Sequence, residues 1–302
     1  MSFNIRRAYN TAREIIRDSA RIAVDLRNGA DRPDLRASSS NKTIEGLADL
    51  VTRADIEVQE SILQKLIKHK LNTIPLNAEE KPRNSRARNF PAKGDYKWTV
   101  DPIDGTLNYK AGTKEKSIRK LLESAVSEFG NPAEHLRPNE WGTMIGLSER
   151  LNPIFGVIYI PDEDSVYHSR INQKAYVNKD GNMVEVRAAE EDEFKTTDII
   201  FVNSELYGPL PKTSLTVRRH GSYAYMCTRI ASGESIGIIS KKPKLYDIVA
   251  PICIVRGAGG VVLDEKGKNA TLNSKFFIFG PNVRYVSGML HFFRETFGDD
   301  VV

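Results

Sequence analysis

From Phe3 to Asn28, apolar residues recur at helical spacing: Ile5, Ala8, Ala12, Ile15, Ile16, Ala20, Ala23 and Val24. Arginines occupy the other face, and Gly29 stops the run. Residues 30–43, rich in Asp, Arg, Pro and Ser, read as a loop. A second helical pattern spans Ala54 to Lys70, with Ile56, Ile62, Leu63, Leu66 and Ile67 as its buried stripe and Val58 at the stripe's edge. Asp49-Leu50-Val51-Thr52 lies just before that helix, and Asp55 opens it. A short strand over 73–78 ends at Glu79-Glu80, and a basic loop, Lys81 to Arg88, follows. The strand Tyr96 to Val100 then feeds Asp101-Pro102-Ile103-Asp104-Gly105-Thr106.

Residues 113–129 predict an inserted amphipathic helix, with Ile118, Leu121, Leu122, Ala125 and Val126 on one side. From Trp141 the pattern turns to strands, 142–147, 153–160 and 165–169, an antiparallel meander with turns at 149–152 and 162–164. The second half alternates strands and helices. Strands are expected at 198–203, 215–219, 236–240, 259–264 and 276–280, and helices at 223–232, 246–257 and 284–297. The expected division is an α+β part, 1–185, carrying the acidic turn and an insertion at about 112–140, and an α/β part, 186–302. The joint falls near Asn178-Lys179-Asp180-Gly181-Asn182 and the acidic run that starts at Glu190.

Composition adds little to this outline. With 302 residues, 40% of them apolar, the chain can bury a sizeable core without disulfides or a structural metal. Its two cysteines, Cys227 and Cys253, sit in apolar runs and form no disulfide or zinc pattern, which fits a reducing, cytoplasmic setting. No stretch approaches the length of a membrane span, and the N-terminus lacks an apolar signal core. A net charge of +5 suits anionic partners without the clustered basicity of a nucleic-acid module.

The acidic positions carry the chemistry. Proline stiffens the turn between Asp101 and Asp104, so both carboxylates can reach one hard cation. The Ile103 carbonyl can join them, because Mg²⁺ and Ca²⁺ prefer oxygen. Gly105 lets backbone approach a ligand, and Thr106 adds a hydroxyl. The plainer alternative is an acidic turn capping the next segment. Asp49/Asp55, Glu79-Glu80, Asp101/Asp104 and Asp247 all sit at element ends, where they can converge on a metal-phosphate pocket.

Asp49-Leu50-Val51-Thr52-Arg53-Ala54-Asp55, Ala78-Glu79-Glu80, Asp101 to Thr106, and Tyr246-Asp247-Ile248-Val249-Ala250-Pro251 followed by Ala258-Gly259-Gly260 resemble the inositol monophosphatase superfamily. The resemblance implies a layered α-β-α-β-α sandwich of the sugar phosphatase type and a Mg²⁺-dependent, lithium-sensitive phosphomonoesterase. It implies metal ligands at Glu79, Asp101, the Ile103 carbonyl, Asp104 and Asp247, and a catalytic set of Asp55, Glu79 and Thr106, with Asp55 paired to Thr106 to activate water. Asp49 would be a supporting acid or a helix cap, and Glu80 would orient the surroundings of Glu79. Asp104, Gly105, Thr106, His220, Gly221 and Ser222 would contact substrate. That substrate would be an inositol monophosphate or sugar phosphate. The alternatives are a 3′(2′),5′-bisphosphate nucleotidase, or a catalytically weak phosphate- or RNA-binding protein that keeps the fold. A homodimer is expected.

Several positions depart from the family pattern: Ala78 for Gly, Tyr246 for Trp, and Gly257 for Glu. At Ser240, seven residues before Asp247, inositol-cleaving members carry a Glu that contacts sugar hydroxyls. The insertion after the acidic turn is read as a lid or an oligomer contact. Lys241-Lys242-Pro243-Lys244 is a solvated turn or a cation cluster for a second phosphate, and Tyr223 and Tyr225 are core or base-stacking residues. His69, His135, His168 and His291 lack ligand spacing and receive no metal role.

Overall fold

A computed structural model describes residues 3–28, 44–81, 85–113, 120, 123, 137–190, 192–203, 206, 217–219 and 221–298, with side chains left aside at 44–52 and 219. Among these residues the helices are α1 (Ile5–Arg27), α2 (Ile44–Lys68), α3 (Thr106–Ala111), α4 (Tyr223–Ala231), α5 (Leu245–Gly257) and α6 (Val283–Phe297). The first seven strands form one sheet in sequence order: β1 (Leu76–Ala78), β2 (Tyr96–Asp104), β3 (Gly142–Glu149), β4 (Asn152–Ile160), β5 (Ser165–Arg170), β6 (Tyr176–Lys179) and β7 (Asn182–Glu185). A second sheet has the order β11 (Val261–Leu263), β12 (Phe276–Gly280), β10 (Gly237–Lys241), β8 (Ile200–Val202), β9 (Val217–Arg219).

Three apolar clusters glue five layers together. The stripe Ala8, Ala12, Ile16 of α1 and Ile62, Leu63, Leu66 of α2 packs on one face of the first sheet, against Trp98, Val100 and Phe155. That sheet's other face, with Met144, Ile158 and Tyr167, joins α4 and α5 and one face of the second sheet, with Ile238, Phe277 and Phe279. The far face of the second sheet, with Val202, Ile239 and Ile278, is covered by α6. The expected α-β-α-β-α order is therefore present. Burying these side chains supplies the main stabilisation, at roughly 1.5–3 kcal/mol for each large aliphatic or aromatic group.

Several element boundaries are corrected. α2 begins at Ile44, ten residues earlier than its pattern suggested, so Asp49 to Thr52 lie inside it and Asp55 is interior rather than first. Val58 is fully buried, not at an edge. β1 is confined to 76–78, whereas β2 continues past Val100 to Asp104. The first sheet is not wholly antiparallel, because β1 pairs with β2 in parallel. The region read as a joint is the β6–β7 hairpin. Thr113, Lys120 and Glu123 apart, residues 113–136, including the predicted inserted helix, lie outside the described residues.

Gly146 and Gly156, opposite one another in β3 and β4, bring α5 down onto the sheet. A Cβ on Gly156 would stand 2.4 Å from the Ala250 carbonyl oxygen. This close seat fixes the start of α5, where Asp247 lies.

On the α1 side, Tyr9 Oη lies 2.7 Å from His168 Nδ1 in β5. Burial pushes the imidazole down to about 3 from its ordinary 6.5, helped by the nearby Arg13 charge. Between these two values the unfolded chain binds a proton that the folded ring refuses. The ring's contribution is complete above pH 6.5 and falls as pH drops toward 3. His168→Gln is expected to reduce the stability lost between pH 7 and pH 5 by about 2 kcal/mol, read from denaturation curves at the two pH values. An unchanged loss would refute this.

Candidate active site

β1 ends at Ala78, paired with Val100, and the Glu79 N–H donates to the Val100 carbonyl at 3.1 Å. Parallel pairing thus sets Glu79 beside Asp101, and their carboxyls lie within hydrogen-bonding reach. One turn beyond Asp55 on α2, the buried Gln59 amide donates to the Glu80 carbonyl at 2.9 Å and accepts from the Glu80 N–H at 3.0 Å. That fork ties the end of β1 to α2. Single carboxylate oxygens of Asp55, Glu79 and Glu80 consequently lie within 4.8 Å of one another.

β2 passes through a bulge between Asp101 and Asp104. Pro102 has no N–H to donate to a ladder, and its carbonyl accepts from the Thr143 hydroxyl at 2.7 Å. The extra length re-aims the strand's end, and Asp104 meets the start of α4. Ser222, the N-cap of α4, accepts from the Tyr225 N–H at 3.1 Å and donates its hydroxyl to Asp104 Oδ2. The Ala224 N–H reaches the same oxygen at 2.7 Å. From α5, Asp247 Oδ2 caps the helix start by accepting from the Lys244 N–H at 2.9 Å.

The electrostatics follow from this crowding. Burial, then Glu79 and Glu80, raises the Asp55 carboxyl to about 8. Burial raises Glu79 to about 7, and burial with Asp104 raises Asp247 to about 8. Asp101, enclosed with Glu79, Asp104 and Asp247, stands well above the carboxylate range. Burial lifts Asp104 only to about 6, because Ser222 and two α4 amides favour its anion. Asp55 Oδ1, Glu79 Oε2 and Asp101 Oδ1 are buried without a hydrogen-bond partner. Unpaired buried carboxylate oxygens are costly, and a hard divalent cation is the partner such an all-oxygen set fits.

Of the acids expected to converge, Asp55 of α2 and Glu79 and Glu80 after β1 come within 4.8 Å of one another. Asp101 and Asp104 of β2 and Asp247 of α5 stand near enough to affect one another's carboxyls, and the Asp49 side chain lies outside the described residues. The Thr106 hydroxyl donates to the Ile103 carbonyl at 3.0 Å rather than to Asp55. Gly221 packs against Asn108 so closely that a Cβ would fall 2.3 Å from its amide nitrogen. His220 lies outside the described residues. Ser240 is buried in β10 and accepts from the Tyr223 hydroxyl at 2.9 Å. Lys241 lies over the Phe276 ring at 5.4 Å. Gln59 and Asn108 escaped the sequence reading. The signal for Gln59 was a glutamine set within a buried stripe. Asn108 donates to the Glu140 carbonyl at 2.7 Å and accepts from the Arg137 N–H at 3.1 Å, joining the segment after the insertion to α3.

Gly105 joins β2 to α3 with φ +89. A Cβ there would stand 2.9 Å from Ser222 Cβ and 3.0 Å from the carbonyl oxygens of Glu140 and Gly221. Gly105→Ala is expected to cost about 1–3 kcal/mol and to pull Ser222 off Asp104. Thermal unfolding checks the first effect. Wild-type stability in the variant would contradict this reading.

The profile of the inositol monophosphatase family matches residues 7–291. The chain is 26% identical over 247 residues to a fructose-1,6-bisphosphatase/inositol-1-monophosphatase of Thermotoga maritima, covering 82% of this chain and 81% of that protein. It is 24% identical over 268 residues to the Nus factor SuhB of Haemophilus influenzae, covering 87% and 89%. Among solved structures, the inositol monophosphatase of Anabaena superposes with a TM-score of 0.64 at 19% identity, over 95% of this chain and 96% of that one.

Proposed function

Because the chain belongs to the inositol monophosphatase family, a family of phosphoric monoester hydrolases, we propose that it hydrolyses a small phosphorylated metabolite with bound Mg²⁺. The observation that carries this reading is the meeting of Asp55, Glu79 and Glu80 within 4.8 Å, with Asp101, Asp104 and Asp247 near enough to raise carboxyls of the same group and with buried, unpartnered oxygens on Asp55, Glu79 and Asp101. Glu79, Asp101, the Ile103 carbonyl, Asp104 and Asp247 are the proposed ligands. When bound, the ion neutralises the substrate's charge and acidifies a coordinated water.

The chain's own groups supply the rest. Asp55, whose raised carboxyl the charge of the bound cation would bring back to the ionised form, would take the proton of the attacking water at Oδ1, the oxygen left without a partner. Thr106 holds the Ile103 carbonyl in place. Ser222 and the start of α4 keep Asp104 ionised and oriented. Backbone N–H groups of Gly105 and Thr106 bind the phosphate, as amides at a helix start do. His220, Gly221 and Ser222 are the proposed substrate contacts, carried over from the sequence resemblance alone.

An inositol monophosphate or sugar phosphate remains the proposed substrate class. Ser240 offers no carboxylate and is engaged by Tyr223, which favours the sugar phosphate of the two. The proposed setting is the cytoplasm and the proposed assembly a homodimer, which sedimentation checks. Among the described residues no helix is long and apolar enough to cross a membrane.

A panel of inositol 1-phosphate, fructose 1,6-bisphosphate and 3′-phosphoadenosine 5′-phosphate, run with and without Mg²⁺ and Li⁺, tests the proposal. Mg²⁺-dependent phosphate release, inhibited by Li⁺, is expected from a sugar phosphate or inositol phosphate. Release from the nucleotide alone would replace the substrate class. No release from any member would favour a binding protein that keeps the fold.

A further inference from the structure

A second polar cleft, of about 520 Å³, lies between α1 and the β5–β6 hairpin. β5 is three strands from β2, roughly 14 Å away at the spacing of neighbouring strands, so the cleft is separate from the carboxylate cluster. Val166 of β5 pairs with Asn178 of β6, and alternation puts His168 on the same face as both. Arg13 and Arg17 reach over this face from α1.

The protonation of the floor can be worked out. Burial pushes the Tyr9 phenol up to about 12 and the His168 imidazole down to about 3, so both are neutral near pH 7. Tyr9 then donates to Nδ1, and the single ring proton resides on Nε2. His168 is only 2% exposed, and its Nε2 has no partner. Asn178 Oδ1 and Arg13 Nε are buried without partners as well. Arg17 is held by Asp164 at 3.0 Å, whereas Arg13 forms no carboxylate pair among the described residues. Two donor atoms, one of them cationic, and one acceptor thus lie just beneath the cleft without a hydrogen-bond partner, while the Arg13 guanidinium stands over the Tyr9 ring at 5.4 Å and reaches Met183 Sδ at 3.9 Å through Nη2.

We propose that this cleft binds a small protonated oxyanion, hydrogen phosphate. Two of its oxygens accept from Arg13 and His168 Nε2–H, and its P–OH donates to Asn178 Oδ1. Sulfate matches it in shape but has no proton for Asn178 at neutral pH. The cleft also has two carboxylates, Glu14 and Asp18. Lys65 stands near enough to Asp18 to feel its charge, and Glu14 is exposed to water, which screens it.

The test titrates phosphate and sulfate into the full-length chain in EDTA, where the carboxylate cluster has no cation to hold an anion. Heat of binding and the His168 ring signals in ¹H–¹⁵N spectra are followed together. Saturable phosphate binding that shifts the His168 Nε2–H is expected, with sulfate about tenfold weaker. Arg13→Gln should weaken phosphate by about tenfold or more, and Asn178→Leu should bring phosphate down to the level of sulfate. If Arg13→Gln does not fold, Asn178→Leu alone decides. Absent saturation, an unmoved His168 signal, equal affinity for the two anions, or variants that bind like the parent would each overturn the assignment.

Discussion

Asp104→Asn is expected to abolish Mg²⁺-dependent phosphate release, lowering turnover on the order of a thousandfold or more, while the chain still folds. The substitution keeps the shape. An amide oxygen at the Oδ2 position can still accept from the Ser222 hydroxyl and the Ala224 N–H, so the N-terminal tie to α4 survives. What disappears is one negative charge and one cation-facing oxygen. Removing a charge from a crowd of buried acids relieves repulsion, so the variant in EDTA should unfold no earlier than the parent. Stopped turnover with an unchanged or higher melting temperature is the combined result that supports the assignment. Turnover that persisted would move the metal centre away from Asp104, and a collapsed fold would make Asp104 a structural residue.

The second large effect concerns pH. In the metal-free chain, Asp55 and Asp247 are raised to about 8, Glu79 to about 7 and Asp104 to about 6, in each case chiefly by burial. Unfolded, these groups titrate near 4. A folded value above the unfolded one means that the folded state holds protons the unfolded state has released. Linkage then makes stability fall as pH rises from about 4 through about 8. The metal-free protein should be more stable at pH 5.5 than at pH 8 by several kcal/mol in its carboxylate contribution. Mg²⁺ should reverse the order by binding the ionised set at pH 8. Denaturation midpoints at the two pH values, with EDTA and with Mg²⁺, decide it. Stability that climbed toward pH 8 in EDTA would mean that these acids have partners other than a cation.

The layers and the acidic turn were readable because their signals are local. Alternating apolar runs marked β3, β4 and β5, and the Pro-stiffened pair Asp101 and Asp104 marked the turn. Three features were hidden for physical reasons. The first turns of α2, Ile44 to Arg53, contain Gly46 and Thr52, poor helix formers, and follow a polar run. The β6–β7 hairpin pairs a half-buried strand with a largely exposed one, and neither shows apolar alternation. Its cue was Asp180-Gly181, both at positive φ (51 and 78), the pairing a tight two-residue hairpin needs. At the site, the meeting of Asp55 and Glu79 depends on Gln59 gripping the Glu80 backbone, a long-range contact that no spacing reveals. Nor did sequence show that the Thr106 hydroxyl serves the Ile103 carbonyl rather than Asp55.

The two hydrogen bonds of Asn108 bear on how this chain tolerates change. They anchor Arg137 and Glu140, the residues at which the chain returns from the insertion, to α3, the helix from which it leaves. Both feet of the segment therefore stand on one rigid pedestal. One side chain thus holds both feet, so Asn108→Ala is expected to release Arg137 and Glu140 together while the acids one turn away stay where β2 holds them.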